Sequence, residues 1–243
     1  MQCLVLAGGL GTRMYPTTRS IPKCLIEVAG RPFAHWQLEW LASQDVDRVV
    51  FSIGHLGDLV RTELGDGSNW GVSLTYVDEG EELVGTGGAV RLAVERDALD
   101  EEFFVLYGDS YLSIELSAVE SAFHSQEADA LMTVYRNEGR WEASNAVFAG
   151  GMVTRYEKGL ADPPPEMQFV DYGLSVLRGP VVLEVVPPGV PTDMADAYAM
   201  LSRSRRLAGF EATERFFEIG TQSGLADLEE HLARSAGEPS HTG

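Results

Sequence analysis

Two cations and a glycine-rich turn stand close together near the amino terminus. Leu6-Ala7-Gly8-Gly9-Leu10-Gly11-Thr12-Arg13 is followed ten residues later by Lys23, within Ile21-Pro22-Lys23. Glycines leave backbone N–H groups bare, so the turn can wrap an anion. A planar guanidinium and a point-charge ammonium converging on one loop suit a polyphosphate. Two standard phosphate loops are excluded. The Walker loop ends in Gly-Lys-Ser/Thr, which is absent. The dinucleotide fingerprint needs a third glycine where Met14 stands. Further along, Gly108-Asp109 closes the apolar run Phe103–Tyr107. A carboxylate at the carboxyl edge of an interior strand lies where open parallel sheets place ligands.

These groups need a scaffold, and the hydrophobic periodicity predicts one. Gln2–Ala7, Arg48–Ile53, Val72–Val77, Phe103–Tyr107 and Ala130–Tyr135 read as buried strands, and Cys24–Val28 as a short one. Between them fall helices: one opened by Pro32 with Phe33, Trp36, Trp40 and Leu41 on one face, then Leu56–Leu64, Gly88–Glu95 and Leu116–His124. The alternation predicts an α/β fold, a mostly parallel central sheet with helices on both faces. After residue 135 the pattern changes. Asn145–Ala149, Gly151–Glu157 and Phe169–Leu177 read as strands, with a hairpin turn at Ala149-Gly150-Gly151-Met152; Met194–Ser202 and Ser223–Ala233 return to helix. The expected division is one domain over 1–235, with a nucleotide-binding part at 1–135, a β-rich part at 136–235, and a disordered tail at 236–243.

Composition narrows the function. The 243 residues carry 18 basic and 37 acidic side chains, a net charge of −19. Such a chain repels nucleic acid and anionic membrane, so neither is expected as a partner. No stretch approaches about 18 apolar residues, so no membrane span is expected. Two cysteines and an amino terminus that reads as a strand point to the reducing cytoplasm. Up to Trp36, four basic residues face one acid, Glu27, and Lys23 and Lys158 are the only lysines in the chain. Where arginine is so favoured, a retained lysine points to a need for an ammonium. The five histidines show no metal spacing. No Gly-x-Ser-x-Gly elbow appears, so acyl hydrolysis has no support. The acidic stretches Asp78–Glu82 and Asp100–Glu102 read as solvated faces.

Ala7-Gly8-Gly9-Leu10-Gly11-Thr12-Arg13-Met14-Tyr15-Pro16 with Pro22-Lys23 resembles the signature of the sugar-1-phosphate nucleotidylyltransferases, the NDP-sugar pyrophosphorylases. The resemblance runs from residue 2 to about 230 and is to the short single-domain type that includes mannose and heptose phosphate guanylyltransferases. It implies the nucleotide-diphospho-sugar transferase fold. It also implies that Leu6, Ala7, Gly8, Gly9, Gly11 and Thr12 lie along the nucleotide. Arg13 would hold its β- and γ-phosphates, and Lys23 would bridge nucleotide and sugar phosphate. Leu83-Val84-Gly85-Thr86-Gly87-Gly88 is similar to the base-recognition turn, placing Gly85, Thr86 and Gly87, with Gly108, beside the nucleotide, although such a turn is also an ordinary helix cap. Asp109 matches the metal-binding aspartate. Phe217-Glu218-Ile219-Gly220 matches the segment of the second ligand, with Glu218 where aspartate is usual. Glu157 and Lys158 match the pair that holds the sugar and its phosphate. Asn145, Asp171 and Gly173 match the sugar pocket, Asp171 standing where asparagine is common. Gly8 replaces a usual alanine, and Cys24 a usual proline.

The resemblance implies Mg²⁺-dependent attack of a sugar-1-phosphate oxygen on the α-phosphorus of a nucleoside triphosphate, releasing pyrophosphate. GTP is the weakly favoured nucleotide, the sugar is open, and homo-oligomer formation is unreadable. No additional acetyltransferase domain is expected after residue 230. Three rivals remain. A metal-dependent glycosyltransferase usually carries Asp-x-Asp, but Asp109-Ser110-Tyr111 lacks the second aspartate, and Asp45-Val46-Asp47 precedes a strand. A non-catalytic nucleotide-sugar-binding relative would be free to lose Arg13, Lys23 or Asp109, and all are present. A cytidylyltransferase acting on a non-sugar phosphate such as phosphocholine shares the opening motif.

Overall fold

The computed structural model describes residues 1–80, 82–137, 140 and 143–237. The chain opens with β1 (Gln2–Leu6), the short antiparallel pair β2 (Glu27–Val28) and β3 (Arg31–Pro32), and α1 (Phe33–Ser43). Then come β4 (Arg48–Ile53), α2 (Gly57–Leu64), β5 (Ser73–Asp78), α3 (Gly85–Glu95), β6 (Glu102–Tyr107) and β7 (Ser110–Tyr111). The middle holds α4 (Leu116–Ser125), β8 (Ala130–Arg136), β9 (Ala146–Ala149), β10 (Met152–Tyr156) and β11 (Phe169–Arg178). It ends with α5 (Gly179–Val185), α6 (Met194–Arg203), β12 (Leu207–Ala212), β13 (Phe217–Glu218) and α7 (Gln222–Gly237).

Nine strands form one sheet in the order β5-β4-β1-β6-β11-β8-β12-β10-β9. The β5-β4-β1-β6 block is parallel, as the strand–helix alternation requires. Side chains alternate across it. Cys3, Val5, Phe104 and Leu106 face a core shared with α1, α2 and α4. Leu4, Phe103 and Val105 face the opposite core, covered by α3, α5 and α6. Phe103 and Phe104 are fully buried on opposite faces, each contributing about 1.5–3 kcal/mol. A sheet buried on both faces produces continuous apolar strands such as these.

The parts divided at residue 135 in the sequence share this sheet. β11 inserts antiparallel between β6 and β8, and β12 runs parallel beside β8. Of the tail expected over 236–243, residues 236 and 237 close α7, and the rest lies outside the described residues. A third, smaller core joins α7 to the amino-terminal segment: Leu228 and Leu232 pack with Met14, Ile26, Val28, Phe33, Phe217 and Ile219. It holds Met14, next to Arg13, against Ile219, next to Glu218. No helix among the described residues is long and apolar enough to cross a membrane.

Candidate active site

A cleft of about 680 Å³ opens at the carboxyl edge of the parallel strands. β1 delivers its floor. The Gly108 N–H donates to the Leu6 carbonyl at 3.0 Å, and a Cβ on Gly108 would stand 2.5 Å from that oxygen, so only glycine fits. Gly11 lies in the left-handed region, at φ 61°, and its carbonyl accepts the Thr18 hydroxyl at 2.8 Å. That bond folds the loop back. The expected strand over Cys24–Val28 begins instead as a 3-10 turn, Lys23–Leu25, which brings Lys23 beside Gly11.

The cationic heads then converge. A Cβ built on Gly220 would lie 3.0 Å from Arg13 Nη2 and 3.3 Å from Lys23 Nζ. Lys23 also forms an ion pair with Asp109, both side chains mostly buried. Asp109 lies in the turn between β6 and β7, and Glu218 in β13. β13 pairs antiparallel with β7, setting Glu218 opposite Ser110, and the Ile219 N–H donates to the Asp109 carbonyl at 3.0 Å. Gln37 fixes the turn from below. Its buried amide donates to the carbonyls of Tyr107 at 3.0 Å and Ser110 at 2.9 Å, either side of Gly108-Asp109. Two cations and two carboxylates around one space can hold a polyphosphate and a divalent ion. No cluster of three or more His, Cys, Asp or Glu able to hold a metal occurs among the described residues. Asp109 and Glu218 supply carboxylate oxygens of the kind that hold Mg²⁺ together with waters and phosphate oxygens.

The other expected residues line the same cleft with two exceptions. Leu6, Ala7, Gly8, Gly9, Gly11 and Thr12 form its floor, with Gly85 and Thr86 at one side. Asn145, Lys158, Asp171 and Gly173 line it as well. Gly87 does not line it; its N–H donates to the Thr192 carbonyl at 2.8 Å. Glu157 does not line it either; its carboxylate accepts from Arg155 at 2.9 Å. The neighbouring Tyr156 faces the cleft instead. Asp171 sits in a β-bulge of β11. Its N–H donates to Asn145 Oδ1 at 2.9 Å, and its Oδ1 accepts the Gly173 N–H at 2.9 Å. At φ 94°, with Ser110 Oγ 2.8 Å from where a Cβ would sit, position 173 requires glycine. Burial first, and then the Asp171 charge, holds the Tyr107 hydroxyl far above its ordinary pKa, so it stays protonated.

Sequence reasoning missed Glu79. The stretch Asp78–Glu82 reads as a solvated face, and Glu81 lies outside the described residues, but Glu79 turns into the cleft. Its carboxylate lies over Gly8 and accepts the Ser52 hydroxyl at 2.9 Å. Burial raises its pKa, with the Ser52 bond opposing. Glu79 directly follows β5, so the strand-edge rule that found Asp109 also finds it. Cys24 lines the cleft too, but is 2% exposed, and burial pushes its thiol up to about 12. Cys3 is fully buried and shifted upward in the same way. Buried neutral thiols are inert. Native protein is therefore expected to give almost no colour with Ellman's reagent over minutes, whereas urea-unfolded protein releases both thiols. Rapid labelling of native protein would contradict this burial.

The family model described as nucleotidyl transferase matches residues 2–144. A UTP–glucose-1-phosphate uridylyltransferase of Synechocystis sp. is 26% identical over 207 residues, spanning 80% of this chain and 53% of that protein. A D-glycero-alpha-D-manno-heptose 1-phosphate guanylyltransferase of Aneurinibacillus thermoaerophilus is 30% identical over 134 residues, 55% of this chain and 57% of that protein. The chain spans about half the length of these curated relatives. Among solved structures, a Bacillus anthracis protein described as a glucose-1-phosphate thymidylyltransferase superposes with a TM-score of 0.83 at 22% identity, covering 99% of this chain and 98% of that one. That likeness establishes a shared fold. With a family model matching more than half its length, the chain belongs to the nucleotidyl transferase family.

Proposed function

We propose that the protein condenses GTP with a sugar 1-phosphate, releasing pyrophosphate and an NDP-sugar. What carries the reading is the meeting of Arg13 and Lys23 around Gly220, beside Asp109 and Glu218. A phosphate monoester has its second pKa near 6, so it is already an anionic nucleophile at about pH 7 and needs no general base. Its oxygen bonds to the α-phosphorus, and the bond to the bridging oxygen breaks as pyrophosphate leaves. Positioning and charge neutralisation are what remain for the protein to supply. Arg13 holds the β- and γ-phosphates. Lys23 sits between nucleotide and acceptor, and Lys158 holds the sugar phosphate. Asp109 and Glu218 hold Mg²⁺, which when bound neutralises phosphate oxygens.

Glu79 supports guanine. Guanine offers two parallel donors, N1–H and N2–H, which match two carboxylate oxygens; uracil and thymine offer one donor between two acceptors. Glu79→Gln is expected to lower kcat/KM for GTP about 10- to 100-fold, the scale of one lost bidentate base contact, with little change for UTP. An unchanged GTP preference would remove Glu79 from base reading. A second reading has an observation of its own. Tyr107, Tyr156 and Asp171 line the acceptor end, and aromatic and anionic faces also take a quaternary ammonium. The test is a matrix of five triphosphates against hexose and heptose 1-phosphates and phosphocholine, followed by pyrophosphate release. GTP with a sugar 1-phosphate is the expected productive pair. Turnover of CTP with phosphocholine alone would favour the second reading.

A further inference from the structure

The strongest unassigned group is Asp193, the residue before α6. Its Oδ2 accepts the Lys158 ammonium at 3.2 Å. Its Oδ1 accepts the Thr86 hydroxyl and the Ala195 N–H, both at 3.0 Å. The Thr86 oxygen in turn accepts the Met194 N–H at 2.8 Å. One residue earlier, the Thr192 carbonyl accepts the N–H groups of Gly87 at 2.8 Å and Gly88 at 3.3 Å, and its N–H donates to Val84 at 2.9 Å. The segment 192–194 is therefore laced to the turn that opens α3, and the Asp193 carboxylate joins that turn to Lys158.

We propose that Asp193 is a positioning residue that fixes Lys158 at the sugar-phosphate end of the cleft and ties it to the nucleotide turn. The inference rests on the proposed function, which gives Lys158 its phosphate contact. About half of the Lys158 side chain is exposed, so the ion pair adds little to stability. Its effect is on conformation. A lysine has four rotatable bonds, and an unpaired ammonium at the rim would spread over many rotamers. Asp193 removes that freedom before substrate arrives, which is preorganisation of a binding group. Burial opposes ionisation of Asp193; the Ala195 N–H, the Lys158 charge and the Thr86 hydroxyl outweigh it and hold the pKa below the ordinary value. The carboxylate is thus charged throughout the neutral range.

Asp193→Asn separates the two halves of this network. Asparagine caps a helix as well as aspartate, and its amide oxygen still accepts from Ala195 and Thr86. Its NH₂ faces the ammonium and cannot accept it. The expected result is a rise of about tenfold in KM for the sugar 1-phosphate, the scale of one charge-assisted hydrogen bond. KM for the triphosphate and the melting temperature stay near wild type, and the loss falls on KM rather than kcat. Lys158→Ala raises the same KM, and adding D193N to it causes no further loss. An unchanged sugar-phosphate KM in D193N, or multiplicative losses in the double variant, would overturn the proposal. So would parallel changes in both KM values and the melting temperature, which mark a purely structural role. Wild-type protein inactive on every sugar 1-phosphate would instead overturn the function on which the proposal stands.

Discussion

Lys23→Ala is expected to lower the rate of pyrophosphate release by on the order of a thousandfold, with the fold intact. Removing one preorganised donor from a developing anion costs about 10²–10³ in kcat, and a cationic clamp on a transferring phosphoryl group costs 10³ or more. Lys23 stands near the upper end because it shares the space at Gly220 with Arg13 and pairs with Asp109. Its loss leaves the acid without its cation and the phosphates without a bridge. Lys23→Arg is not expected to restore the rate. The planar guanidinium is larger and presents its donors in a fixed fork, whereas the ammonium is a compact point charge. Circular dichroism checks the fold, and a coupled pyrophosphate assay reads the rate. Turnover within tenfold of wild type would remove Lys23 from the reaction.

Asp109→Asn is expected to cost a similar factor, again on the order of 10³. The change keeps the shape of the side chain and removes its charge. The backbone of this turn is held independently by Gln37 and by the Ile219 N–H, so the geometry survives. What is lost is half of the carboxylate pair that Asp109 makes with Glu218. Raising Mg²⁺ into the tens of millimolar range should recover part of the rate, as expected when a metal ligand is weakened rather than a fold broken. Full activity at low Mg²⁺ would separate Asp109 from the metal.

Most of this site was legible because it is local. The glycine turn and Arg13 occupy eight consecutive residues, and Asp109 closes an unmistakable apolar strand. Long-range pairing was not legible. No periodicity reveals that β11 lies between β6 and β8, because its partners are more than thirty residues away along the chain. The short helix α5 escaped notice because Gly179-Pro180-Val181-Val182 carries strand formers, and burial against α3 and α6 decides its state. Glu79 was hidden by its acidic neighbours; of these, Asp78 and Glu82 are exposed as the solvated-face rule expects, and Glu79 breaks it. Glu157 follows the last residue of β10, Tyr156, so the strand alternation does not fix where its side chain goes. Asp193 drew no notice in the sequence; only the fold brings Lys158 and Thr86 to it from distant segments.

The most direct measurement is a crystal structure of the protein with Mg²⁺ and a non-hydrolysable GTP analogue. The expected density places the triphosphate within hydrogen-bond distance of Arg13 and Lys23, with the metal on Asp109 and Glu218. A triphosphate seated beyond reach of all four side chains would contradict the proposed chemistry.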